Sequence, residues 1–487
     1  MSPEKRQQLD RMFNPRGVAV FGGVSRAGAF AQSIILSLLA YGYQGRIYPV
    51  SRQGGEVAGL KIYRNLSEVQ GPVDLASISV PAHAVPEVLR ECLKHKVPGA
   101  QIHTSGFAET GESQGMALQE EISRIAEQGI RVIGPNCFGI HSSRGGISML
   151  PGFDFSKKPG PVAMLSQSGG GACDFGHEAQ IASLGLSKVI SFGNGCDLDA
   201  VELLKYLAHD PETGYVAAYL EGVESGRKFF EIVRELTPKK PVVIWKGGLT
   251  PLGSRATQSH TGSLGGEARV WNGALAQAGA VPVQGLHEMI DTLTALAFLK
   301  SRGRRIALAG GGGAIGVFSS DLAHRFGLEV PRFSPETQAR LRKRLPAPGN
   351  SVLNPLDTGT PVLPLEVLEP LIKEILTKES MDVLVMVMLL HPLEVTSQVF
   401  PKMIGLPSPP AGSYLQGLLE IMSRLKKQTG KDVAMAFENR ATQPENINVE
   451  SVSRKMRLQF QAEGIPVFTG AERALRGIRN ALKAKRP

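Results

Sequence analysis

Gly17-Val18-Ala19-Val20-Phe21 runs directly into Gly22-Gly23-Val24-Ser25-Arg26-Ala27-Gly28. The first five residues are apolar and rich in valine, the pattern of a strand buried on both faces. The glycine turn leads to an apolar segment expected to be helical near Gln32 to Tyr41. Strand, glycine turn and helix form an arrangement that holds phosphate. Glycines let the backbone approach the anion, and the helix N-terminus favours its charge. The spacing is not a clean GxGxxG, so the turn alone marks an α/β unit rather than one ligand.

The alternation continues outward from this stretch. Arg46-Ile47-Tyr48-Pro49-Val50, Leu75 to Val80, Gly99 to His103 and Arg131-Val132-Ile133 read as four more strands, each closed by turn residues. A βαβαβ order predicts a doubly wound parallel sheet. The second strand ends at Ser51-Arg52, where a dinucleotide fold places Asp or Glu for an adenosine ribose. That argues against NAD, and Arg52 suits a phosphate instead.

Pro151 to Pro161, rich in Gly, Pro and Lys, reads as a connector, and Arg302-Gly303-Arg304 as a second one. The expected organisation is three doubly wound α/β domains, at residues 1–150, 151–301 and 302–487. In the middle one, Val162-Ala163-Met164-Leu165 precedes Ser166-Gln167-Ser168-Gly169-Gly170-Gly171-Ala172 at a helix start. Ser168 suits an N-cap, and the amides after it form a nest for an anion, although an ordinary strand-to-helix turn has the same look. Lys188 to Ser191 ends at Gly193-Asn194-Gly195. Tyr215 to Leu220 ends at Glu221-Gly222, and Pro241 to Trp245 ends at Lys246-Gly247-Gly248. The third domain opens with Arg305 to Ala309 and the glycines of 310–316, continues with Met381 to Leu390, and closes with Pro466-Val467-Phe468.

Composition narrows the class. The chain has 487 residues, 42% hydrophobic and 20% charged, enough for packed cores and too apolar for disorder. No apolar run reaches the roughly 18 residues of a membrane span, and the charged N-terminus leads into no signal-like segment. Cysteines at 92, 137, 173 and 196 show no metal-ligand spacing, which fits a reduced, cytoplasmic setting and no metal site. The net charge of +10 is not arranged as a basic stripe interleaved with aromatics, so nucleic acid is disfavoured. Part of the excess suits an anionic nucleotide, coenzyme or acid.

Ala256-Thr257-Gln258-Ser259-His260-Thr261-Gly262-Ser263-Leu264-Gly265-Gly266 sets one histidine among glycines and hydroxyls. This reads as an exposed loop. A lone histidine is commonly a buried, hydrogen-bonded one. A loop histidine following a strand, with a carboxylate ending the neighbouring strand, suggests instead a reactive imidazole oriented by Glu221.

Together, Ser259-His260-Thr261-Gly262-Ser263, Gly134-Pro135-Asn136-Cys137 and Ser166-Gln167-Ser168-Gly169 resemble the NDP-forming acyl-CoA synthetases, the superfamily of succinyl-CoA synthetase and ADP-forming acetate–CoA ligase. Asn354-Pro355-Leu356-Asp357 and Gly464-Ile465-Pro466-Val467 extend the resemblance over essentially the whole chain. It implies the alpha-subunit set: a CoA-binding Rossmann-like domain followed by two flavodoxin-like ligase domains. ATP-grasp domains have no counterpart here, so a separate ATP-grasp beta subunit carrying ATP/ADP and Mg is implied, in an α/β hetero-oligomer.

The resemblance also implies roles. His260 matches the phosphorylated histidine, and Glu221 the carboxylate that orients it. Ser168 and Gly169 match the helix start that holds the phosphoryl group. Asn136 and Cys137 match the loop lining the acyl and phosphate site, with Asn194 a further candidate there. A small buried residue is an equal alternative for Cys137. CoA is expected along Gly22, Ser25, Arg26, Ser51, Arg52, Pro81 and Ser105. The chain departs from the family's usual pattern at three places. The first glycine turn is one residue longer, Ser51-Arg52-Gln53 replaces Asn-Pro-Lys, and Gly265-Gly266 replaces Ala-Gly. None removes a reacting group. The rival readings are a CoA- or acyl-CoA-binding regulatory protein without turnover, and an NAD-dependent oxidoreductase.

Overall fold

The computed structural model describes residues 1–150, 155–261, 267–345, 347–405, 407, 409–439 and 443–484, with side chains described except at 257–261, 397–402 and 445. The chain divides into two compact units. One comprises Met1–Gln180, Leu184–Met289 and Ala484–Pro487; the other comprises Ile181–Ser183 and Ile290–Lys483.

The first unit holds two large sheets. The first runs Arg46–Val50, Gly17–Gly22, Leu75–Ser79, Gly99–Ile102, Arg131–Ile133, with every pair parallel. Its valine-rich central strand is buried on both faces. Val18 and Val20 pack with Ile34, Ile35 and Leu38 of the helix Phe30–Tyr41. Ala19 and Phe21 pack with Val85 and Leu89 on the other face. Each fully buried valine contributes roughly 1.5–3 kcal/mol. Strand order reverses at Gly17–Gly22, and such a reversal opens a crevice at the carboxyl ends of the strands.

The second sheet runs Val281–Val283, Val242–Lys246, Tyr215–Leu220, Pro159–Ser166, Leu186–Ser191, Gly139–Ser142, Ile147–Ser148. The first five strands are parallel and the last two add antiparallel at the edge. Those two strands lie upstream of residue 150, so this sheet recruits chain from before the expected connector.

The second unit carries one sheet, in the order Ser351–Val352, Leu356–Asp357, Ile306–Gly310, Val383–Leu389, Asp432–Glu438, Val467–Phe468, parallel except for the first pair. Its glycine turn is already occupied. Asp357 Oδ1 accepts from the amides of Gly312 and Gly359, each at 2.9 Å.

One local expectation is corrected. The backbone of Ala256 to Thr261 belongs to the helix Pro251–Thr261 and is not a loop. Thr250 Oγ1 accepts from the Gly253 amide at 3.0 Å, satisfying an N-terminal donor, and Pro251 presets the helical φ of the first turn. The His260 side chain and residues 262–266 lie outside the described residues.

Candidate functional site

The crevice of the first sheet is a cleft of about 1350 Å³. Gly22, Ser25, Arg26, Ser51, Arg52, Pro81 and Ser105 all line it, as do Asn136 and Cys137. They converge because they sit at or just after the carboxyl ends of the five parallel strands. Gly22, at φ +136°, admits no side chain: a β-carbon there would lie 2.6 Å from the Ser79 carbonyl oxygen. Arg52 is exposed and pairs with Glu87 at 3.2 Å.

The loop Gly134 to Phe138 forms one wall. Asn136 is held at φ +58°, which Asn tolerates better than most residues. Its amide nitrogen donates to Thr104 O at 2.9 Å, and its side-chain Nδ2 reaches Asn194 Oδ1 at 3.5 Å. Asn194 does not line the cleft. Its Nδ2 donates to Glu109 Oε2 at 2.6 Å and Gln119 Oε1 at 2.8 Å, so it braces the loop from behind. Cys137 is buried with its thiol 3.3 Å from Ile102 O, and burial pushes its pKa up to about 12. It is therefore a poor nucleophile at neutral pH and a packing residue.

Two cleft residues were not singled out by sequence. His103 has Nε2 2.9 Å from Ser77 Oγ and Nδ1 3.1 Å from Cys137 O, with the Phe30 ring at 4.8 Å. Loss of solvent brings its pKa down to about 4, so it is neutral and clamps the loop to the sheet. Phe138 donates its amide to Ser191 Oγ at 3.0 Å. Its ring lies over Gly169, where a β-carbon would be only 2.5 Å from it.

Beside Phe138 begins the helix Gly169–Ile181. Ser168 caps it, its Oγ accepting from the Gly171 amide at 3.2 Å. The partial positive charge of this helix start suits an anion. Ser166 and Tyr219 are register partners on adjacent strands, which brings the Ser168 turn and Glu221 to the same sheet end. Gln167 joins them, its Oε1 accepting from the amides of Glu221 and Gly222. Glu221 is buried and accepts from the Tyr219 hydroxyl at 3.0 Å, an interaction that with burial raises the tyrosine pKa. Lys246 Nζ donates to the Glu221 carbonyl oxygen at 2.8 Å and sits 5.1 Å from the centre of the Trp271 ring. Burial lowers its pKa. Gln167 and Lys246 stood in plain view at two strand ends; only their hydrogen bonds give them a part in holding Glu221.

The comparisons with known proteins agree with this architecture. A CoA binding domain model matches residues 16–143, and a succinyl-CoA ligase like flavodoxin domain model matches 159–296. The alpha subunit of acetate–CoA ligase [ADP-forming] II from Pyrococcus furiosus is 38% identical over 350 residues, covering 72% of this chain and 76% of that one. The corresponding subunit of ligase I is 36% identical over 327 residues, covering 66% and 71%. The structure of the dinucleotide forming acetyl-coenzyme A synthetase 1 of Ca. Korarchaeum cryptofilum, in complex with phosphate and ADP, superposes with a TM-score of 0.79 at 29% identity, covering 97% and 96% of the two chains. Sheets, cleft and matches together show that the chain belongs to the NDP-forming acyl-CoA synthetase superfamily, among its alpha subunits.

Proposed function

We propose that this chain is the alpha subunit of an acid–CoA ligase that joins a small carboxylic acid to CoA at the expense of ATP or GTP, with His260 as phosphoryl carrier. The γ-phosphoryl group passes from the nucleotide to a nitrogen of His260, releasing the nucleoside diphosphate. A carboxylate oxygen of the acid then attacks that phosphorus, giving an acyl phosphate and free imidazole. The CoA thiolate attacks the acyl carbon, the C–O bond to phosphate breaks, and acyl-CoA and inorganic phosphate leave.

In this reading the seven cleft residues from Gly22 to Ser105 hold CoA. Asn136 lines the acyl site, with Asn194 and Cys137 supporting its loop. Ser168 and Gly169 present amides to the phosphoryl group, stabilising charge where it develops. Glu221 orients the imidazole and opposes the cost of its positive charge. The nucleotide and its Mg belong to a separate ATP-grasp beta subunit in a cytoplasmic α/β hetero-oligomer. The domains run 1–150, 151–301 and 302–487 in sequence, with the strands Gly139–Ser142 and Ile147–Ser148 of the first lent to the sheet of the second.

The observation that supports this most is the adjacency, within one unit, of a large coenzyme-sized cleft and an anion-suited helix start, with Phe138 touching both. The test is calorimetric titration of the chain with CoA and with NAD. CoA is expected to bind and NAD not. Arg26→Ala should weaken CoA by about tenfold, as expected for loss of a charge-assisted phosphate contact. Arg90→Ala, whose guanidinium pairs with Glu121 and does not line the cleft, should leave CoA affinity unchanged. Equal binding of NAD, or no binding of CoA, would refute the reading.

A further inference from the structure

The acyl carbon must be reached from two sides: by the CoA thiol from the cleft, and by the phosphoryl oxygen held at the Ser168 helix start. Phe138 belongs to both places. It lines the cleft beside His103, Thr104, Asn136 and Cys137, and its ring covers Gly169 at the first turn of the helix. Phe30 backs it, with ring centroids 6.1 Å apart. Even so, Phe138 remains 39% exposed, which leaves part of an aromatic surface facing the junction.

Among the described residues, no charged side chain is in ring contact with that surface. Neutral His103 has both ring nitrogens committed, to Ser77 and to the Cys137 carbonyl. Among the described residues no lysine or arginine lies over the Phe138 ring, and none hydrogen-bonds to the side chains of Asn136 or Ser168. The arginines of the cleft, Arg26, Arg52 and Arg64, stand on turns after other strands, and Arg52 is paired with Glu87. A second carboxylate on the acid would be desolvated here without a partner, which is costly.

We propose that the Phe138 ring sets the size of the acyl pocket, and that the acid taken there is a monocarboxylic acid with a small, uncharged tail. This rests on the CoA-ligase reading above. It reverses the expectation that the net positive charge marks an anionic acid, since the positive groups suit the coenzyme's phosphates. An aromatic ring at this point excludes branched or aromatic tails by volume and anionic tails by desolvation. Replacing it with a small side chain removes the first barrier only.

The test is titration of the full chain with CoA, acetyl-CoA, phenylacetyl-CoA and glutaryl-CoA, each affinity divided by that of CoA for the same variant. The native chain should bind acetyl-CoA at least tenfold more tightly than either of the other two thioesters. Phe138→Ala should raise the phenylacetyl-to-acetyl ratio about tenfold or more, the scale on which pockets discriminate by volume. Phe138→Leu should fall between, and glutaryl-CoA should stay weak in every variant. Ratios unchanged within twofold in both variants, or glutaryl-CoA bound as tightly as acetyl-CoA, overturn the proposal. Should Phe138→Ala lose CoA itself, the Phe138→Leu ratio decides. Failure of CoA to bind the native chain removes the ligase reading, a different outcome from a flat ratio.

Discussion

The ring of Phe138 covers Gly169 so closely that a β-carbon on that glycine would lie 2.5 Å from it. The contact fixes how the loop Gly134 to Phe138 meets the Ser168 turn. Gly169→Ala is therefore expected to push the loop or the helix start aside and to destabilise the first unit by about 1–3 kcal/mol, the usual cost of overpacking. Gly170→Ala, with nothing within 4 Å of the added carbon, should be tolerated. Denaturant unfolding of both variants checks this. Addition of Phe138→Ala should recover most of the Gly169→Ala loss, and strict additivity would count against the contact.

Gln167 accepts two main-chain amides, those of Glu221 and Gly222, through one oxygen. Gln167→Ala leaves both donors without that acceptor, at a cost of about 1–3 kcal/mol. It should also slow phosphoryl transfer more than it weakens CoA binding, because the turn it holds carries Glu221 and not the coenzyme cleft. Parallel measurement of ligase rate and CoA affinity separates the two.

Acid should weaken the first unit through His141. This histidine is fully buried, with Nε2 3.1 Å from Ser143 Oγ, and burial drops its pKa to about 4. The unfolded chain takes up the proton below about pH 6.5, whereas the folded chain resists until about pH 4. Stability is thus lost as pH falls through that window, on the order of 3 kcal/mol from this group. Hydrogen exchange in Gly139–Ser142 should quicken accordingly, and His141→Gln should flatten the pH dependence. An unchanged slope in that variant contradicts the assignment.

Asp357 fills the glycine turn of the second unit with the chain's own carboxylate. Asp357→Ala should destabilise that unit by about 1–3 kcal/mol through two lost charge-assisted bonds. Inorganic phosphate should raise the melting temperature of the variant and leave the native chain unaffected. An equal phosphate effect on both would show that the turn is open in the native protein.

Much of this was legible in the residues. Arg46–Val50 and Tyr215–Leu220 have the expected bounds because each is an apolar run stopped by turn-forming or charged residues. The strand Asp432–Glu438 was passed over because no glycine closes it, although its Val-Ala-Met-Ala-Phe core is plain. Gly139–Ser142 is not legible as a strand because two of its four residues, His141 and Ser142, are polar. They are buried by pairing with Leu186–Ser191, and no local pattern shows that. The helical backbone at His260 is hidden in the sequence because hydroxyl-bearing residues and glycines suit a loop, while Thr250 and Pro251 start a helix upstream of them. The cleft residues could be named from strand ends. Phe138, His103 and Gln167 could not, since their parts depend on contacts with residues 26 to 108 positions away.

The central claim is that acyl, phosphate and imidazole sites all belong to this one chain. Incubating it alone with radiolabelled phosphate and a panel of acyl-CoAs tests that directly, because acyl-CoA and phosphate give an acyl phosphate whose phosphoryl group then moves to the imidazole. The account predicts an acid-labile, base-stable label that appears only with an acyl-CoA and is absent from His260→Ala. A label that survives in His260→Ala, or none from any acyl-CoA in a chain that binds CoA, would contradict it.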